Sequence, residues 1–322
     1  MPSLLSLPRE LRDQIIDHVM FSLLDAPPAP PKGSSPENFQ RKIFDKEPTY
    51  LYPKDLIYYP SSSAAYEPTS KGLLQTCHQL RAETLDRRAK LVISSAVLDV
   101  MLVEEKSLWP TWLSIPPKMP PIIERLEIRI RICGSPRIKE SLQSRVRFGG
   151  CISSPIPYGL FGIVDRFLAV GTTGECPPWF WRKYETSVPA YRPQYCIKSL
   201  HIVVDTNVAL SENEQLSPEN IPSRQTPHVD PKTNKLLVVS PMALGIYLAD
   251  RVEILLGPTG FGYNKLAALL GARIGEVTVS VGKTLVGSLN WPRHLEPHVE
   301  DEDWMRLYKI AVLNDRHYFG LG

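Results

Sequence analysis

A chain of 322 residues, 43% of them apolar, has room for one large domain or two ordinary ones and enough hydrophobic side chains to fill a core. A formal charge of +3 is too slight to draw nucleic acid or a membrane surface by field alone, so neither is expected as a partner. The five cysteines (Cys77, Cys133, Cys151, Cys176 and Cys196) are odd in number, scattered and without a Cys-x-x-Cys pair; this argues against a disulfide framework or a zinc module, and reduced, mostly buried thiols are expected.

The first predicted element is a helix over 7–24, with Pro8 at its start and Glu10 placed to favour the helix dipole. Leu11, Ile15, Ile16, Val19, Met20 and Leu23 spread over about half of its circumference. Arg12 interrupts that arc near the N-terminal end and divides it into two strips. A helix held by one core contact needs only about 100 degrees of apolar face, so the excess suits a helix sandwiched between its own domain and a second body. The competing expectation is that the insertion aromatics or the second helix cover the extra strip. No run approaches the roughly 18 uninterrupted apolar residues of a membrane span, and none has the form of a signal peptide. A cytoplasmic or nuclear protein is expected.

Residues 26–69 carry nine of the 31 prolines together with Phe39, Phe44, Tyr50, Tyr52, Tyr58, Tyr59 and Tyr66. Such a segment reads as an extended insertion that packs its aromatics locally, with a short irregular hairpin around 49–52 and 55–59. A second helix is predicted over 71–89, with Ser70 as N-cap and Leu73, Cys77, Leu80 and Thr84 on its buried stripe. Gln75, Gln79, Glu83, Asp86 and Arg87 form its expected solvated face.

Beyond residue 90, the segments 123–130, 197–204 and 274–281 align without gaps. Each has apolar residues at alternate positions over its second half (Leu126, Ile128, Ile130; Leu200, Ile202, Val204; Val277, Val279, Val281), the period of a strand with one buried face. Helical patterns precede the second at 160–170 and the third at 241–249 and 266–270, with Ser240-Pro241 as a start signal. Helix-then-strand units predict neighbouring parallel strands, and 96–103 is a candidate fourth. The expected fold class is α/β, with α+β as the alternative: a short helical module over 1–90 carrying the insertion at 26–69, then a body over 91–322 with a mixed, partly parallel sheet and helices packed on it. The polar, proline-bearing stretch 211–235 reads as a mobile loop.

Several stretches suggest chemistry and lack the residues for it. Gly257 and Gly262 have phosphate-loop spacing, but Tyr263 and Asn264 stand where the phosphate-binding lysine and magnesium-binding hydroxyl belong; Gly282-Lys283-Thr284 has only the tail of that motif. His294 and His298 have a zinc-like spacing that Pro297 removes from a helix. Between 125 and 147 seven basic residues face two acidic ones, without groove-reading or stacking elements beside them. No Gly-x-Ser-x-Gly elbow occurs. Trp179, Trp181 and Tyr184 concentrate aromatic surface beside Arg182, the composition of a second interaction surface, although core packing is the commoner use of such clusters. No catalytic residue, metal site or cofactor is predicted, leaving an enzyme with an unmarked pocket at the strand ends as the weakest option.

The segment Leu7-Pro8-Arg9-Glu10-Leu11, followed by Ile15 and Ile16, resembles the first helix of an F-box, whose pattern is Leu-Pro-x-Glu-Leu and then an apolar residue. Residues 73–85 resemble the next helix in fungal F-box-like proteins, typically Leu-Leu-x-x-Cys-Arg-Gln-Ile-x-x-Glu-Ala-Leu. The resemblance covers about the first 90 residues and departs from a compact F-box in the proline-rich insertion between the two helices. It implies that the leading helix docks on the Skp-type adaptor of a cullin-RING ubiquitin ligase, with Leu7, Pro8, Leu11 and Ile15 as contacts and Ile16 between them and the interior, while the rest of the chain selects an unidentified protein substrate. A non-enzymatic interaction subunit is therefore expected. The alternative is a scaffolding protein that keeps the helix for internal packing and binds no adaptor.

Overall fold

The computed structural model describes residues 4–31, 33–43, 56–61, 69–90, 94–116, 119–134, 155–172, 195–207, 241–256, 270–290, 303–318 and 321. In chain order they form α1 (Arg9–Phe21), β1 (Arg41–Ile43), β2 (Tyr58–Pro60), α2 (Lys71–Thr76), α3 (His78–Lys90), β3 (Ser95–Val103), β4 (Ser107–Ser114), β5 (Ile122–Cys133), α4 (Pro155–Val170), β6 (Cys196–Val204), α5 (Pro241–Leu256), β7 (Ile274–Val281), β8 (Thr284–Asn290) and α6 (Asp303–Tyr318). Strands β3 to β8 make one sheet in the order β4-β3-β5-β6-β7-β8. Its four central strands are parallel, and antiparallel β4 and β8 close its two edges. The fold is α/β with a mixed, partly parallel sheet.

The three aligned segments lie side by side in the register of their sequence alignment. Ile123 pairs with Ile197 and that residue with Ile274; Leu126, Leu200 and Val277 form the next row, then Ile128, Ile202 and Val279, then Ile130, Val204 and Val281. All twelve are buried and belong to one core with Leu160, Phe161, Val164 and Phe167 of α4 and Leu244, Leu248 and Val252 of α5. From the second row on, alternation puts every second strand residue on that helix-covered side, and removing each such aliphatic side chain from water contributes about 1.5–3 kcal/mol.

The sheet's other side is chemically different. Near β3 and β4 it carries Met101, Val103, Trp109 and Cys133, on which Phe39 and Tyr58 pack, with ring centroids 5.7 and 6.3 Å from Trp109. Farther along it bears Asp99 and Arg131, joined by two hydrogen bonds of 2.6 and 2.7 Å.

Several expectations change here. The insertion's Phe39 and Tyr58 pack on the body's Trp109. Its two-stranded sheet pairs β1 with β2, so the strand found opposite 58–60 is Arg41–Ile43; the expected arm at 49–52 lies outside the described residues. Leu56 and Ile57 join the main core. The single helix expected over 71–89 is two, α2 and α3, because Cys77 is extended at φ −144° and ψ 165° and Thr76 Oγ1 folds back to donate to Leu73 O at 2.8 Å. Among the described cysteines Cys133 and Cys196 are buried, as expected of mostly buried thiols, and Cys77 is exposed. Burial pushes the Cys133 thiol up to about 11, far from a reactive thiolate. Among the described residues no helix is long and apolar enough to cross a membrane.

Candidate protein-docking site on the first helix

Helix α1 runs from Arg9 to Phe21, shorter at both ends than the predicted 7–24, after a separate 3-10 turn at Leu4–Ser6. Pro8 precedes it and leaves no backbone donor to satisfy there. Arg12, Ile16 and Met20 are buried and follow one another at four-residue spacing, so they share one face. That face is turned to α3. Arg12 Nε and Nη2 donate to the two carboxylate oxygens of Glu83 at 2.9 and 2.7 Å, a paired arrangement that fixes both side chains. Gln79 Nε2 adds a third donor to Glu83 at 3.1 Å. These contacts, the Arg12 bond first, pull the Glu83 carboxyl down to about 2 despite the opposing effect of burial.

Further pairs flank this one. Arg9 Nη2 reaches Asp86 at 3.1 Å, and Arg87 donates from Nε and Nη2 to the two carboxylate oxygens of Asp17. Glu83, Asp86 and Arg87, expected on a solvated face of the second helix, are therefore the side on which α1 rests. Charge on both helices was visible in the sequence; its pairing across 71 positions was not.

Of the four residues that the resemblance makes contacts, Leu11 and Ile15 are exposed at 44% and 37%, Pro8 is exposed, and Leu7 is half-buried. Ile16, placed between those contacts and the interior as part of the same site, is 0% exposed, so it is corrected from the site to the core on the α3-facing side. The anticipated division of the apolar arc at Arg12 is present: one strip faces inward, and Leu11 and Ile15 form the outer one. Trp179, Trp181 and Tyr184 lie outside the described residues, as do 211–235, 257–265 and the His294–His298 pair. Gly282-Lys283 is the turn between β7 and β8, where Gly282 adopts φ 55°.

A polar constellation that the sequence did not single out lies on the sheet face opposite α4 and α5. Arg125 Nη2 lies 2.7 Å from His201 Nδ1, and His201 Nε2 lies 3.0 Å from Ser280 Oγ. A guanidinium only donates, so Nδ1 accepts and Nε2–H donates to the serine. That tautomer is opposite to the one a histidine needs to take a proton from Ser280. Desolvation, followed by the Arg125 charge, lowers the His201 pKa and keeps the ring neutral. Among the described residues no group of three or more histidine, cysteine, aspartate or glutamate side chains is placed to hold a metal ion. No family model, curated protein or solved structure matches this chain.

Proposed function

We propose that the protein is a non-enzymatic interaction subunit whose α1 docks, through Leu7, Pro8, Leu11 and Ile15, on a Skp-type adaptor of a cullin-RING ubiquitin ligase, while its α/β body recognises a protein substrate. The observation that carries this reading is the exposure of Leu11 and Ile15 on a helix whose opposite face is fixed by the buried Arg12–Glu83 pair. A helix so anchored offers its outer strip without rearrangement, which lowers the entropic cost of binding. The F-box-like residues 7–11 and 73–85 supply the choice of adaptor.

Arg12, Ile16 and Met20 favour the scaffolding alternative, because their burial gives α1 a packing role inside its own chain. Co-purification of the full chain with a Skp-type adaptor separates the two. Under the proposal the wild type retains the adaptor, and Leu11→Asp weakens retention at least about tenfold, as expected on truncating an interface anchor, with an unchanged circular dichroism spectrum. No retention by the folded wild-type chain sinks the ligase reading and leaves the scaffold.

A further inference from the structure

The two edges of the main sheet are treated differently. The outer side of β4 is taken up: Leu108 N–H donates to Leu56 O at 2.7 Å, Leu24 N–H donates to Leu113 O at 2.9 Å, and Ile57 bridges to Leu108. That strand also contains Pro110, which cannot donate to a further strand. At the opposite end, β8 has β7 as its single strand neighbour among the described residues. Residues 284–290 (Thr-Leu-Val-Gly-Ser-Leu-Asn) include neither a charge nor a proline, the usual devices that blunt an edge. Leu285 is 61% exposed.

Beside this edge α5 lies close to the sheet. A Cβ built on Gly287 would fall 2.5 Å from Ala249 Cβ, so glycine is what allows the approach. Between α5 and β7–β8 there is a cleft of about 120 Å³, lined by Ala249, Asp250, Val252, Glu253, Val286 and Leu289 among others. It is well below the roughly 300–1,000 Å³ of a metabolite pocket and matches a single side chain. Asp250 and Glu253 are its charged lining residues, and both are acidic.

We infer that β8 accepts an extended peptide as an additional strand, with one basic side chain of that peptide entering the cleft at Asp250 and Glu253. The edge, unpaired among the described residues, supplies main-chain hydrogen bonds, and alternation sends every second peptide side chain toward the α5 layer. Charge complementarity selects lysine or arginine there. A second copy of this chain is a poorer occupant: pairing β8 with its own symmetry mate would bring a second Asp250 and Glu253 to the same edge. The inference rests on the proposed interaction role only for identifying the peptide as part of a substrate. The adaptor is absent from the test below, so the two readings fail separately.

The test is fluorescence anisotropy of the full chain with a labelled peptide alternating Val and Thr about a central Arg. Saturable binding is expected, with the same peptide N-methylated at alternate residues binding at least about tenfold more weakly, since it keeps the side chains and loses the strand hydrogen bonds. A peptide with Glu in place of the central Arg binds more weakly to the wild type, and Glu253→Lys, on the exposed side of α5, reverses that preference. Absence of saturable binding, equal binding of the N-methylated peptide, or equal binding of the Arg and Glu peptides overturns the inference. A chain dimer that Leu285→Lys dissociates overturns it too, because a second copy then holds the edge.

Discussion

Arg12 shows how one residue acquires opposite meanings in one and three dimensions. Along the helix it breaks an apolar arc; in the fold it is 8% exposed and bonded to both oxygens of a Glu83 that is 5% exposed. A carboxylate held at about 2 in the folded chain, against an ordinary 4.5, contributes stability that is complete above about pH 4.5 and is lost as pH falls toward 2. Asp86 and Glu127 are shifted the same way, so acid unfolding of the wild type alone does not isolate Glu83. Glu83→Gln does. The variant is expected to be less stable than wild type at pH 7, with the difference narrowing steadily below pH 4.5 in urea titrations; a difference independent of pH would show that the charge at position 83 is not what holds α1. Nothing local in the sequence could reveal this partnership, because the hydropathy of each helix is set by its own residues while the pair spans both.

Among the elements, the central strands were the most legible, for a physical reason. Neighbouring parallel strands covered by one helix layer must place an aliphatic residue at every second position, so β5, β6 and β7 carry nearly the same sentence and their gapless alignment is also their hydrogen-bond register. The edge strands lack that double constraint: β4 carries Pro110 and two tryptophans, β8 a glycine at its middle, and neither was anticipated, nor was α6. The acidic cluster at 300–303 ahead of an apolar period was the missed signal for α6. At the start of β7, a Cβ on Gly275 would lie 2.2 Å from the Lys198 carbonyl oxygen, which is backbone and cannot yield without opening the β6–β7 ladder. Gly275→Ala is therefore expected to lower stability by about 3 kcal/mol in chemical denaturation. Gly72→Ala in α2 meets nothing within 4 Å and should raise it, by up to about 1 kcal/mol, through helix propensity alone. Equal effects of the two alanines would refute the close-approach argument.

Over the whole molecule, the described residues of the proline-rich insertion form a strap against one end of the sheet. Arg41, its pKa lowered to about 10 chiefly by burial, donates to the carbonyls of Tyr58 and Pro110, and Arg131 donates to Pro27 O. Trp109 is the hub of that contact, at 1% exposure beneath Phe39, Tyr58 and Arg41. Trp109→Ala should cost about 3–5 kcal/mol of stability, measured by denaturation, and a loss under 1 kcal/mol would mean the strap is not held there. The strap also fixes direction. Leu24, just beyond α1, bonds to Leu113 on the β4 edge, whereas β8 is the far edge of the same six strands, five spacings or about 24 Å away. An adaptor on Leu11 and Ile15 and a basic peptide on β8 would thus occupy opposite ends of one rigid sheet. With the adaptor at saturation, the Arg peptide's affinity for the full chain should stay within about twofold of its value without adaptor, since among the described residues no shared residue or two-state element links the sites. Mutual exclusion in that titration would mean that the two surfaces are one, and that the separation read from the strand order is not the one the partners experience.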